Sequence, residues 1–90
     1  MSYDDADALL TVKRYLLSER QLPVPVFRRV CSTFGRLVRV RYERKYGMQP
    51  PRYKEAVEGR IVLVYHYAEA DRPFFDEVWL VMEARIKGLM

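Results

Sequence analysis

The segment VFRRVCSTFGRLVRVRYERKYGMQPPRYK runs from Val26 to Lys54 and carries the longest helical pattern in the chain. It contains seven arginines, two lysines and a single acidic residue, Glu43. Apolar residues recur every three or four positions, the spacing of an amphipathic helix; they are Phe27, Val30, Phe34, Leu37, Val38 and Tyr42. The pattern predicts one face that packs on a core and another, strongly positive, that meets an anionic partner.

Gly35 interrupts this pattern and leaves two interpretations open. One is a continuous helix over residues 25–46. The other is a helix-turn-helix, with a turn near residues 32–35 and a second helix over residues 34–46. The unbroken apolar stripe slightly favours the continuous helix, because a turn would normally shift its phase.

Glycine and proline mark the ends of this helix. Pro25 suits the first helical position, where its missing N–H costs nothing. Gly47 is a suitable residue just past the last turn, and Pro50-Pro51 prevents continuation.

An earlier helix is expected from about Asp5 to Glu19, with Ser2 or Asp4 accepting hydrogen bonds from its first turn. Its apolar stripe consists of Leu9, Val12 and Leu16, widened by Leu10 and Leu17 and followed by Arg20. Pro23 and Pro25 end this helix, because each lacks an amide donor and disfavours helix in the residue before it.

A β-hairpin is predicted after Pro51. Residues 53–57 and 60–67 are rich in β-branched and aromatic residues, and Glu58-Gly59 between them is typical of a two-residue turn. Both faces of the second strand are apolar, which indicates a strand covered on both sides by this chain or by a partner.

A last helix begins near Asp71, the expected N-cap, includes Pro73 in its first turn, and continues to Lys87 with Gly88 as the stop. Its apolar stripe, expected to close the core over the hairpin, is Phe75, Val78, Trp79, Met82 and Ile86. The 90 residues are too few for two cores, so we predict one α+β domain over residues 1–90. Its order is α-α-(α)-β-β-α, a winged-helix-like layout with a hairpin wing.

Charge is distributed unevenly along the chain. The formal net charge is +4, but residues 1–10 carry three acids and no base, whereas residues 11–60 carry 13 basic and four acidic residues. Clustered positive charge is typical of a domain that binds nucleic acid or another acidic surface.

The sequence offers little for catalysis, and we predict no enzyme activity, no cofactor and no metal site. His66 is the only histidine, so a His-based metal cluster or a Ser-His-Asp set lacks partners, and we expect a structural role for it. Asp4, Asp5 and Asp7 are explained as an acidic first turn. Cys31, the single cysteine, is expected to be a buried thiol.

The basic residues are the candidate site. A basic helix followed by a hairpin with a basic tip is the layout of a winged helix, in which the helix enters the major groove and the wing contacts the backbone. The predicted nucleic-acid-binding residues are Arg28, Arg29, Arg36, Arg39, Arg44, Lys45, Arg52, Lys54 and Arg60. Arginine forks suit phosphate oxygens and guanine edges.

Short motifs between residues 34 and 80 resemble the C-terminal (KilA-C-like) domain of phage antirepressor-type proteins. The matching residues are Gly35-Arg36-Leu37-Val38, Tyr42, Tyr46-Gly47, Pro50-Pro51-Arg52, Val57-Glu58-Gly59-Arg60 and Val64-Tyr65-His66-Tyr67. The resemblance implies a helix, a hairpin and a closing acidic helix, in a phage or prophage regulator that binds DNA or a repressor.

Two functional hypotheses follow. The first is a non-catalytic transcriptional regulator that binds double-stranded DNA. The second is a phage-type protein-interaction module that inhibits a host protein or nucleoprotein complex by docking its basic face on an acidic protein surface. A Val- and Ile-rich hairpin edge also invites self-pairing, so we expect a homodimer. The chain has no signal peptide pattern and no membrane-spanning apolar run, which predicts a cytoplasmic protein without a membrane partner.

Overall fold

The computed structural model describes residues 10–90. The elements, in chain order, are a π-helical segment (Arg14–Glu19), helix α1 (Val24–Tyr46), strands β1 (Arg52–Val57) and β2 (Arg60–Tyr65), a 3-10 turn (Glu69–Asp71) and helix α2 (Arg72–Gly88). This is the small α+β domain that the sequence predicts. A long helix followed by an antiparallel hairpin and a closing helix is compatible with a winged-helix-like layout.

Helix α1 is continuous over 23 residues, so the helix-turn-helix alternative is wrong. Gly35 lies inside the helix, where it costs about 1 kcal/mol relative to alanine. Buried residues on either side of Gly35 hold the helix together, because Val30, Phe34 and Val38 are all fully buried in the core. The helix starts one residue earlier than predicted and ends as predicted at Gly47, whose φ of 71° is the left-handed conformation.

The core lies between α1, α2 and the segment before α1. Helix α2 contributes Phe75, Val78, Trp79, Met82 and Ile86, which are the five residues of its predicted stripe. They pack with Val26, Val30, Phe34 and Val38 of α1. Of the hairpin side chains that the structure describes, only the partly buried Tyr65 belongs to this cluster. The prediction that α2 closes the core over the hairpin is therefore wrong, because α2 packs on α1.

In the part that the structure describes, the first helix is shorter than predicted, and its turns are wider than those of an α-helix. Its predicted start, with the caps Ser2 and Asp4, lies outside the described residues. From Arg14 the helix is π-helical, and the N–H of Arg20 donates to the carbonyl of Tyr15 at 2.9 Å. A wider turn changes which positions face inward. Tyr15, which lies off the predicted stripe, is therefore buried beside Leu16.

The hairpin has the predicted two-residue turn. Val57 pairs with Arg60, and Glu58 and Gly59 have φ values of 50° and 80°, as a type I′ turn requires. β2 ends at Tyr65, two residues earlier than expected. Tyr67 instead forms an antiparallel bridge with Leu10, through N–H···O hydrogen bonds of 2.8 and 2.9 Å.

One face of the hairpin is open to solvent. Ile61 and Leu63 are 67% and 56% exposed, so this chain does not cover β2 on both sides as expected. This face meets α1 at Tyr65, but because α2 packs on α1, Ile61 and Leu63 stay uncovered. Asp71 is the N-cap residue of α2, as predicted, but its side chain makes no capping hydrogen bond to the helix. It accepts a hydrogen bond from the Tyr46 hydroxyl at 2.6 Å instead.

Candidate nucleic-acid interface

The side of α1 that faces away from the core carries four of the predicted site residues. Positions on a helix advance by about 100° each. This spacing places four arginines mostly opposite the buried valines: Arg28, Arg29, Arg36 and Arg39. Arg28, Arg29 and Arg36 are exposed and form no ion pair with any residue in the range 10–90. The periodicity of α1 thus places unneutralised cations on its solvent side.

The helix and the hairpin meet at Tyr65. The guanidinium carbon of Arg39, on α1, and that of Arg52, on β1, each lie 5.7 Å from the centre of the Tyr65 ring. Arg39 also lies 3.7 Å from Glu43, and its Nε is buried without a hydrogen-bond partner among the described residues. Cations from two distant parts of the sequence therefore meet at one aromatic ring.

Strand alternation separates the three basic residues of the hairpin. Arg52 pairs with Tyr65 and Lys54 with Leu63, so both cations lie on the face that meets α1 at Tyr65. Arg60 pairs with Val57 and lies on the opposite face of the hairpin. The predicted site residue Arg60 is therefore near the turn but not beside Arg52 and Lys54.

Arg44 and Lys45 also lie apart from the other arginines of α1. Arg44 comes about five helical turns after Val26, so it points to the side of α1 that carries the apolar stripe. The Lys45 Nζ lies 5.3 Å from the ring centre of Tyr46 and 5.7 Å from that of Phe74. Six cations of α1 and β1 are called the basic surface below; they are Arg28, Arg29, Arg36, Arg39, Arg52 and Lys54.

Three arginines outside the basic surface, Arg20, Arg41 and Arg72, form ion pairs with carboxylates. Arg41 Nε lies 3.2 Å from Glu77 on α2, and Arg20 lies 3.7 Å from Asp76. Arg72 bonds to both Glu19 and Glu69. The hydrogen bond from Arg72 holds the pKa of Glu19 below its usual value. These three arginines differ in this respect from Arg28, Arg29 and Arg36, which form no ion pair within residues 10–90.

A groove of about 410 Å³ separates α1 from β2. Its lining includes Arg36 and Arg39 together with Lys13, a cation that the sequence did not single out. Cys31, expected to be buried, is only partly buried and lines this groove, because α1 and the hairpin do not close over it. No sequence pattern marks Lys13, since its position depends on where the hairpin lies.

His66 packs beside Tyr53 at the base of the hairpin. Its ring stacks on Tyr53 with centres 4.6 Å apart, and its Nε2 lies 4.0 Å from Glu55 Oε1. Burial lowers the pKa of His66 below its ordinary value. Among the described residues, no cluster of three or more His, Cys, Asp or Glu side chains could hold a metal ion.

Comparison with protein-family models, with curated proteins and with solved structures found no match to this chain. The resemblance to the phage antirepressor C-terminal domain therefore stays a prediction. Within residues 10–90, no helix has both the length and the apolar character needed to cross a bilayer.

Proposed function

We propose that this domain binds double-stranded DNA through the basic surface and acts as a non-catalytic transcriptional regulator of a phage or prophage, in the cytoplasm. The observation that carries the proposal is the meeting of Arg39 and Arg52 at Tyr65, which joins the cations of a helix to those of a hairpin. The sequence resemblance to antirepressor domains supports the regulatory role.

The dimensions of the basic surface suit a duplex. From Arg28 to Arg39, α1 rises about 17 Å, which spans several phosphates along one strand. An α-helix fits the major groove of B-DNA, and unpaired guanidinium groups such as those of Arg29 and Arg36 bind phosphate oxygens or guanine edges. Arg52 and Lys54, on the hairpin, would then contact the adjacent backbone.

A salt titration tests the proposal. The six cations of the basic surface would release counterions on binding, so affinity for a duplex should fall on the order of a thousandfold between 50 and 200 mM salt. A mobility-shift or filter-binding titration at several salt concentrations measures this dependence. Absence of binding at 50 mM salt, or binding that does not depend on salt, would contradict the proposal.

A second candidate function is docking on an acidic surface of a host protein or nucleoprotein complex. It is favoured by the exposed Ile61 and Leu63, which lie on the same hairpin face as Arg52 and Lys54. Apolar residues ringed by cations are a common composition for a protein interface. The matching surface of the partner protein would be an apolar patch flanked by Asp or Glu.

The two functions respond differently to one pair of substitutions. Ile61→Ser together with Leu63→Ser removes the apolar patch without touching a cation. If the domain binds DNA, the variant should keep the salt-dependent affinity of the parent chain. If it docks on a protein, capture of that protein from a nuclease-treated extract should be lost in the variant.

Self-pairing through the hairpin remains a further proposal. The sheet has only two strands, so each strand leaves one edge unpaired within the described sheet. Sedimentation equilibrium should detect a dimer of the 10.8 kDa chain. A single 10.8 kDa species at all concentrations would refute it.

A further inference from the structure

A second cavity, of about 250 Å³, lies at the base of the hairpin, away from the groove between α1 and β2. Its lining includes three tyrosines from different parts of the chain (Tyr42, Tyr53 and Tyr67), together with His66 and Asp71. No lysine or arginine of the described residues lines it. In a chain with a net charge of +4, this cavity has the opposite electrostatic character to the basic surface.

Asp71 supplies the charge of the cavity. It is only 6% exposed, and its Oδ1 accepts a hydrogen bond from the Tyr46 hydroxyl at 2.6 Å. Within residues 10–90 it forms no ion pair. A buried carboxylate normally has a cationic partner, because one neutral hydrogen bond compensates only part of its desolvation.

The aromatic rings supply a lining that suits a cation. Tyr53 and His66 stack with ring centres 4.6 Å apart, and Tyr42 meets Tyr67 edge to face at 5.6 Å. The face of a tyrosine ring attracts cations through its quadrupole. Burial lowers the pKa of His66, so its ring is neutral near pH 7 and does not compete with a bound cation.

We propose that this cavity is a binding site for an alkylammonium group, held by the Asp71 carboxylate and the rings of Tyr42, Tyr53 and Tyr67. An anion is excluded by Asp71, and a neutral apolar ligand would leave that carboxylate unpaired. The volume suits a group of a few heavy atoms, such as a trimethylammonium head or the end of a lysine side chain. The site does not depend on DNA binding by the basic surface.

Choline and 3,3-dimethylbutan-1-ol test the site, because they share a shape and differ in charge. We expect saturable NMR shifts at the amides of His66 and Ala68 when choline is titrated into the 90-residue chain. The neutral alcohol should bind at least about tenfold more weakly, since it gains neither the cation–π attraction nor the charge pair. Equal binding of the two compounds would overturn the proposal.

Two variants assign the binding to this cavity. Asp71→Asn removes the charge but keeps an oxygen for Tyr46, and should weaken choline binding about tenfold. Tyr53→Leu removes a ring that is 47% exposed and outside the core, so it keeps the proposal testable if Asp71→Asn does not fold. Glu77→Gln, an exposed carboxylate on α2, is the matched control and should leave choline binding unchanged. Unchanged binding in both Asp71→Asn and Tyr53→Leu would place choline elsewhere and refute the assignment.

The ammonium group could belong to a free amine or to a lysine of a partner protein. Titration with N-acetyl-lysine methylamide and with its trimethylated form represents the partner lysine, and choline represents the free amine. Tighter binding of either lysine compound identifies a protein ligand, and tighter binding of choline identifies a free amine. Failure of all three to bind would overturn the ammonium site.

Discussion

Replacing Phe34 with alanine should remove a large part of the stability of this domain. Phe34 is fully buried on α1, and its ring centre lies 5.7 Å from that of Tyr15 and 6.3 Å from that of Phe75. A buried Phe→Ala substitution costs about 3–5 kcal/mol, because it removes apolar contact and leaves a cavity. Domains of this length are stable by roughly 5–13 kcal/mol. The loss is therefore a large fraction of the total stability.

Urea unfolding followed by circular dichroism measures this loss. The free energy of unfolding should fall by about 3–5 kcal/mol, and the melting temperature by roughly 15 °C or more. Phe27→Ala is the matched control, since Phe27 lies on the same helix but is only partly buried, and its cost should be smaller. A loss below about 1 kcal/mol for Phe34→Ala, or a loss no larger than that of Phe27→Ala, would refute the packing described here.

Two further predictions concern backbone and pH. Gly35→Ala should raise the free energy of unfolding by about 0.5–1 kcal/mol, because the added Cβ would meet Val12 at an ordinary 3.5 Å. Gly59→Ala should lower it by about 1 kcal/mol, because Gly59 has a φ of 80°. Urea unfolding that shows the same sign for both substitutions would contradict this prediction. Burial, aided by the hydrogen bond to Asp76, raises the pKa of Tyr15 to about 12. The stability contributed by this raised pKa is complete below pH 10 and is lost as pH rises towards about 12. The fall in stability over that interval should be shallower in Tyr15→Phe, and an identical fall would refute the assignment.

Local patterns were sufficient to predict most of the secondary structure. The spacing of Val30, Phe34 and Val38 indicates α1, and Glu58-Gly59 indicates the hairpin, because both signals depend only on neighbouring residues. The burial of Tyr15 could not be predicted in this way. It depends on a π-helical turn, for which the sequence carries no periodic signal.

The positions of elements relative to one another were predicted less well. The hairpin is tied to the rest of the domain by the bridge between Leu10 and Tyr67, which joins residues far apart in the sequence. Local patterns therefore did not indicate that Ile61 and Leu63 are exposed or that Lys13 lines the groove. The hydrogen bond between Asp71 and Tyr46 likewise depends on tertiary structure, so local rules indicated Asp71 as the N-cap of α2 but not the partner of its side chain.

The candidate site also has features that local patterns predicted and others that depend on tertiary structure. Helical periodicity predicted that Arg28, Arg36 and Arg39 share the solvent side of α1. Strand alternation was sufficient to separate Arg60 from Arg52, although the sequence interpretation grouped all the basic residues. Only the structure indicates that Arg39 and Arg52 meet at Tyr65, because that contact depends on how the hairpin lies beside α1.

Charge reversal on the basic surface tests the central claim most directly. Arg29→Glu with Arg36→Glu reverses two cations of the basic surface, and Arg85→Glu with Lys87→Glu reverses two exposed cations on α2. Each double variant lowers the formal net charge from +4 to 0, and circular dichroism confirms that both are folded. In duplex binding at 100 mM salt, we expect the first variant to lose at least about a hundredfold in affinity and the second to lose far less. Equal losses in the two variants, or none in the first, would contradict a DNA-binding surface on α1 and the hairpin.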